Sequence, residues 1–324
     1  MGQVTIKDIA EMAGVSKTIV SQYLNNNYKF MSVKTKDKIE AIIKETNYIP
    51  KSSARNLKFK KITVLNIIVA NLESSFSTQI VQQMDKRLNS EDVHVIISNS
   101  ADDEKKERLL IEQAISQDVD QVVIFPVSNN PEHYQLLKRN KIATVYVDRI
   151  PAEEGACVLL NNKEAIVESV SSLIARGNKQ IVYLSLPLVD YLTPRTERLQ
   201  AFNQAMEVEE SILPTVLSGS ESTLKKRIET LLKSKNYFPT AFIASNDTCL
   251  KILLRVLKEH QYHGKDFDIV TVDGLELFEL FDDIYMTIEH PIDEICTKII
   301  ECLNQQSENQ KVFRFSPIYY RQTN

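Results

Sequence analysis

From Ile62 onward the chain alternates short runs rich in β-branched residues with longer amphipathic stretches, and this alternation restricts the fold more than any other feature. The strand-like runs are residues 63–69, 93–98, 121–125, 144–147, 180–184, 240–244 and 268–272, with a last strand-like stretch at 318–321. Helix-length stretches lie between and after them at 78–89, 104–117, 163–176, 195–206, 223–232, 248–260 and 292–305. Strands that are apolar at successive positions are buried on both faces, and such strands joined by helices build parallel α/β sheets. A region of about 260 residues is large for one sheet of this kind, so two α/β lobes are expected.

Composition narrows the function classes. A 324-residue chain with 43 % hydrophobic and 25 % charged residues reads as a soluble globular protein of two or three compact units. The longest nearly apolar stretch, 62–72, is interrupted by Thr63, Asn66 and Asn71 and is too short to span a bilayer. No export signal is visible, and Cys157, Cys249, Cys296 and Cys302 form no CxxC pair, which points to reduced, buried thiols in cytoplasm and against a zinc site. With seven glycines and no Gly-rich loop after any strand, nucleotide-binding fingerprints are excluded. His94, His133, His260, His263 and His290 are scattered, and the Asp282-Asp283 pair sits in a turn-like acidic stretch. No catalytic set, metal site or cofactor is expected. The net charge of −4 hides an asymmetry: residues 1–61 hold 12 Lys/Arg against 5 Asp/Glu, the remainder 27 against 38. A basic unit on an acidic body suits a polyanionic partner for the first unit only.

That first unit reads as three short helices. Thr5 and Asp8 form a T-x-x-D start, Ile6, Ile9, Ala10 and Ala13 follow at helical spacing, and Gly14 offers a left-handed stop. Ser16 can cap a second helix with Val20 and Leu24 facing inward, and a third begins near Ser32 with Ile39, Ile42 and Ile43 on one side. Helix, Gly-containing turn and helix is a DNA-reading arrangement whose second helix belongs in the major groove. The outer side of that helix presents Lys17, Thr18, Ser21 and Gln22; Gln22 can pair with adenine through two hydrogen bonds, and Lys17 can reach guanine or phosphate. Residues 50–61, basic and opened by Pro50, read as a charged linker.

The fixed spacings of Thr5-Ile6-Lys7-Asp8-Ile9-Ala10, Ala13-Gly14-Val15-Ser16, Val20-Ser21, Leu24-Asn25, Met31-Ser32, Thr35, Lys38-Ile39, Tyr48-Ile49-Pro50 and Ala54-Arg55-x-Leu57 resemble the head of the lactose/galactose repressor family. Two departures are Ile19 in place of the usual threonine and Gln22 in place of the usual arginine. The resemblance implies DNA contacts from Thr5, Ser16, Lys17, Thr18, Ser21, Gln22, Asn25 and Tyr48. It also implies a hinge at 50–61 that becomes helical on DNA, with Arg55 near phosphate and Leu57 as a wedge between base pairs.

For the body, the resemblance implies the two-lobed fold of sugar-binding periplasmic proteins. The expected divisions are a helix-turn-helix domain at 1–49, a hinge at 50–61 and a body at 62–324. Lobe 1 is about 62–160 and 290–313, and lobe 2 about 161–289 and 314–324. Ligands of open α/β sheets bind beyond the carboxyl ends of the strands. That rule selects Asn71, Ser75, Phe76, Ser128, Asp148 and Arg149. Arg195 and Arg198 open a helix; the resemblance adds Asn161 (where the family has an acid), Arg198, Asn246 within Ser245-Asn246-Asp247, and Asp273, with Gly274 departing from the family's second acid. Asn, Asp and Arg around an aromatic face suit a hydroxyl-rich ligand, and three arginines lean toward a sugar acid.

The expectation is therefore a homodimeric repressor reading pseudo-palindromic double-stranded operator DNA. A sugar or sugar acid between the lobes lowers its operator affinity, and no membrane is involved. Rival readings are a catabolite-control type strengthened by a corepressor, a solute-binding transport protein, and a sugar-acting enzyme. The absence of a heptad-rich tail argues against a tetramer of the lactose-repressor kind.

Overall fold

The structure is a computed structural model that describes residues 4–24, 27–29, 31–48, 62–88, 92–153, 155–189, 192–207, 213–234, 238–262, 266–274, 278, 280, 284–305 and 311–322. It divides into two compact units, Met1–Ile62 and Thr63–Asn324.

The first unit holds α1 (Ile6–Ala13), α2 (Lys17–Leu24) and α3 (Val33–Thr46). Thr5 and Asp8 cap α1 reciprocally: Asp8 Oδ2 accepts from the Thr5 backbone at 2.7 Å, and Thr5 Oγ1 accepts from the Asp8 backbone at 3.4 Å. Gly14 closes α1 at φ 70°, a conformation that costs a residue with a Cβ. Ser32 caps α3 by accepting from Thr35 N at 3.2 Å. Ile9, Ala10, Ala13, Val20 and Ile39 are buried together, and Leu24, Ile42 and Ile43 pack against them.

The second unit contains two six-stranded sheets. In chain order the elements are β1 (Thr63–Val69), α4 (Ser75–Leu88), β2 (Val93–Asn99), α5 (Glu104–Ser116), β3 (Gln121–Ile124), α6 (Pro131–Arg139), β4 (Ala143–Val147) and β5 (Ala156–Leu160). Then come α7 (Asn162–Ala175), β6 (Gln180–Ser185), α8 (Thr193–Met206), β7 (Leu213–Ser218), α9 (Glu221–Leu232), β8 (Ala241–Ala244), α10 (Asp247–Glu259), β9 (Asp268–Val272) and β10 (Ile284–Glu289). Last come α11 (Ile292–Gln305), β11 (Lys311–Phe315) and β12 (Ile318–Arg321).

The sheet orders are β11-β5-β4-β3-β1-β2 and β12-β10-β9-β8-β6-β7. Both contain the same doubly wound order, with direction reversing at β1/β3 and at β6/β8. Side chains of α4 and α11 join one face of the first sheet, and those of α5 and α6 the other. In the second sheet α7 and α8 cover one face, and α9 and α10 the other.

Every described pairing is parallel except β10 with β12, which is antiparallel. The reason is topological. Parallel strands of both sheets end at the shared cleft, and the chain leaves β11 there, passes Ser316 and Pro317, and enters the second sheet from its cleft end. β11 stays in the first sheet to Phe315, two residues past the expected crossing.

Among the described residues no helix is long and apolar enough to cross a membrane. Cys157, Cys249, Cys296 and Cys302 are free and buried. No cluster of potential metal ligands occurs among the described residues.

Candidate functional site

On the first unit, α2 carries the side chains aimed outward. Lys17 and Thr18 are exposed, while Ser21 and Gln22 are half-buried. Exposed Ser16 accepts from Ile19 N at 3.3 Å and so caps α2. Exposed Thr5 is engaged with Asp8 through both its hydroxyl and its backbone. Tyr48 packs against the three-helix core, and burial pushes its phenol up from 10.0. Asn25, Arg55 and Leu57 lie outside the described residues.

In the second unit a cavity of about 110 Å³ opens where the strands of both sheets end. Asn71, Phe76, Asp148, Arg149, Arg195, Arg198, Asn246 and Asp273 all line it. They come from different segments: Asn71 follows β1, Asp148 and Arg149 follow β4, Asp273 follows β9, and the arginines 195 and 198 sit on the first turn and a half of α8. Topology thus gathers residues as far apart in the chain as Asn71 and Asp273 at two adjacent switch points. Asp148 (φ 68°) and Asp273 (φ 61°) both adopt the left-handed conformation, which aspartate tolerates better than most residues.

The three guanidinium groups differ in their partners. Arg149 donates to Pro126 O at 2.9 Å and to Asp102 Oδ1 at 3.2 Å. Arg195 donates to Pro187 O at 2.8 Å. Arg198, only 4 % exposed, donates from Nε to Asn162 Oδ1 at 2.7 Å and from Nη1 to Ser245 O at 2.6 Å. Arg195 and Arg198 therefore meet neutral acceptors. Burial and the neighbouring Arg149 pull Arg195 below its ordinary 12.5, which marks a cation poorly compensated as it stands.

The carboxylates are stressed in the opposite sense. Burial raises Asp148, with Arg149 acting against the shift, and burial together with Glu289 holds Asp273 well above its ordinary range. Asp247 is ion-paired with Lys251 at 3.0 Å. Asn246 caps α10 by accepting from Cys249 N at 3.0 Å. Gly274 has no room for an acid, because a Cβ there would stand 2.3 Å from Thr271 Cγ2. Buried Glu289 accepts from Gly274 N at 3.0 Å.

Phe76 is stacked on His290 with ring centroids 3.8 Å apart. Burial and then Arg198 push that histidine well below 6.5, so it is neutral. Ser75 does not line the cavity. It clips the lobes together, its hydroxyl donating to Asp273 O at 3.2 Å.

Besides Ser75, two further expected residues do not line the cavity. Ser128 is buried away from it, donating to Glu104 Oε1 at 2.7 Å, because the chain turns aside after Phe125, which lines the cavity instead. Asn161 caps α7 and lies in a separate hollow with Glu197 and Arg314; its neighbour Asn162 is the one that holds Arg198. Ser245 and Asp247, which flank Asn246 in the Ser245-Asn246-Asp247 stretch that the resemblance points to, also line the cavity, as do residues that the sequence does not single out, among them Asp102 after β2 and Phe125 after β3. The strand-end rule, applied to β2, reaches Asp102. The carbonyl of Ser245 carries no side-chain signal at all.

A family model for bacterial regulatory proteins, lacI family, matches residues 5–51, and one for a periplasmic binding protein domain matches 65–278. A relative from Paenibacillus polymyxa, described as a probable HTH-type transcriptional regulator, EndR, is 32 % identical over 97 % of this chain and 96 % of its own length. The Lac repressor dimer bound to operator and the anti-inducer ONPF superposes with a TM-score of 0.75 at 20 % identity, over 99 % of this chain and 98 % of that one. A transcriptional regulator CelR in complex with cellobiose gives 0.66 at 18 % identity, over 98 % of both chains. Head, body and full-length relative agree: the chain belongs to the lacI family of bacterial regulatory proteins, DNA-binding transcriptional regulators rather than enzymes.

Proposed function

We propose that this chain is a homodimeric repressor whose operator affinity falls when a small hydroxyl-rich effector, with a carboxylate favoured, fills the cleft. The head at 1–49 reads DNA through Lys17, Thr18, Ser21 and Gln22, with Thr5, Ser16, Asn25 and Tyr48 toward the backbone. The segment 50–61 is the hinge that carries Arg55 and Leu57, and 62–324 is the effector body. The observation that carries the effector class is the pair Arg195 and Arg198, respectively half-buried and buried at the cleft, whose hydrogen-bond acceptors among the described residues are neutral oxygens. An incoming carboxylate would relieve both cations, while Asn246, Asp148 and Asp273 suit hydroxyl donors and acceptors. The Lac repressor with ONPF and CelR with cellobiose give precedents for sugar-like ligands on this fold.

The test begins with a thermal-shift screen of sugars, sugar acids and sugar phosphates, since a ligand stabilises by mass action whatever its identity. Hits are then titrated against operator binding by fluorescence anisotropy. Release of DNA by a sugar acid supports the proposal, whereas strengthened binding reverses its sign and indicates a corepressor. Arg198→Ala should abolish the response and leave DNA binding intact; a normal response would remove Arg198 from the site.

A further inference from the structure

The arginine that faces the effector is held by a chain of side chains that begins in the other lobe. Arg314 lies on β11, in the first sheet. Its Nη1 and Nη2 donate to Glu197 Oε2 and Oε1 on α8 at 2.8 and 2.5 Å, a two-pronged pairing. Glu197 Oε2 also accepts from Asn162 Nδ2 at 2.9 Å. Asn162, 1 % exposed, accepts the Arg198 Nε proton on its Oδ1 at 2.7 Å.

Chemistry fixes the direction of every link. A carboxylate only accepts, so the Asn162 NH₂ must face Glu197; a guanidinium only donates, so the Asn162 oxygen must face Arg198. Flipping the amide would break both bonds at once. Arg198 is thereby left with two of its five N–H donors spent and its remaining donors for the cleft. A partly exposed pairing between strand and helix is thus connected by hydrogen bonds to a buried cation two side chains away.

We propose that Arg314 and Glu197 are positioning residues, and that their pairing across the lobes holds Arg198 in the orientation the effector uses. This rests on the effector reading above. Separating β11 from α8 would free Glu197, then Asn162, then Arg198. Effector affinity and lobe arrangement are therefore linked through this path.

The experiment uses full-length protein labelled with nitrogen-15 arginine and follows solvent exchange of the Arg198 Nε proton, assigned by its loss in Arg198→Lys. Arg314→Met should accelerate that exchange about tenfold or more, the factor expected for losing a charge-assisted hydrogen bond. Arg314→Lys, which keeps the charge and loses the fork, should fall between. Arg321→Met is the control: it breaks a comparable pairing of β12 with Glu168 on α7 that leads nowhere near Arg198, and should leave the exchange unchanged. Wild-type exchange in folded Arg314→Met overturns the proposal, and if that variant does not fold, wild-type exchange in Arg314→Lys does so. The readout needs no ligand. A failed effector reading is recognised separately, by accelerated exchange in Arg314→Met together with wild-type melting indifferent to every sugar, sugar acid and sugar phosphate screened.

Discussion

Glu107 shows what a single buried side chain does to this molecule. It is fully buried on α5; Oε2 accepts from Val127 N at 2.7 Å, and Oε1 lies 2.8 Å from Tyr134 Oη, which is itself 3.0 Å from Ser128 O. Burial pushes the carboxyl up from 4.5 to about 7, against the opposing hydrogen bonds. The native state thus keeps a proton that the unfolded chain releases near 4.5. Stability fully present below that pH is lost as pH rises through about 7. When protonated, Glu107 can donate to Tyr134, which donates on to Ser128 O, so the neutral network is satisfied. Glu107→Gln mimics that form. It should melt with wild type near pH 5 and be more stable at pH 8 by on the order of 2–3 kcal/mol; equal melting at both pH values would refute the burial argument. At the DNA-reading surface, Gln22→Ala should cost about 1–3 kcal/mol at one base pair. Anisotropy on a panel of operator variants checks this, and equal loss on all sequences would rule out adenine reading.

Elements with strong local signals are legible in the sequence. The three head helices follow from their caps, because Thr5, Asp8, Gly14 and Ser32 act on backbone groups within four residues. Ser32→Ala should accordingly lower head stability by about 1 kcal/mol, measured by urea unfolding of the protein; no change would mean that tertiary packing alone sets the start of α3. Elements whose signal is weak or nonlocal do not stand out. β7 contains Pro214 as an edge strand, β11 mixes Lys311 and Arg314 with apolar residues without a period of two, and β10 follows an acidic stretch. β5 is short, though wholly buried. α6 begins at Pro131 and buries only His133, Tyr134 and Leu137, too little to give a periodic pattern. None of these changes the fold class, because each slots into a sheet or layer already implied by its neighbours.

At the scale of the whole molecule, charge is divided between the two units. The excess of seven positive charges in residues 1–61 belongs with DNA, whereas the remainder of the chain is acidic. Operator affinity should therefore fall by about 10³ or more between 50 and 200 mM salt if six or more phosphates are contacted. Effector binding, confined to a buried cleft, should change far less, since buried charges are poorly screened. Parallel anisotropy and calorimetry over that salt range test the division, and salt-insensitive DNA binding would contradict it.

The sequence by itself determined the helix-turn-helix head, the α/β layering of the body and most of the cleft. Caps, turn residues and apolar periodicity act over a few positions, and parallel strands deliver their ends to a common edge. Only the tertiary structure decided which polar residue at each strand end turns inward. It sent Ser128 to Glu104 and Asn161 to the cap of α7, put Asn162 on Arg198, and tied that arginine to Arg314 across 116 positions of chain. Those choices depend on hydrogen-bond partners brought together by sheet order. No local pattern encodes a partner that distant.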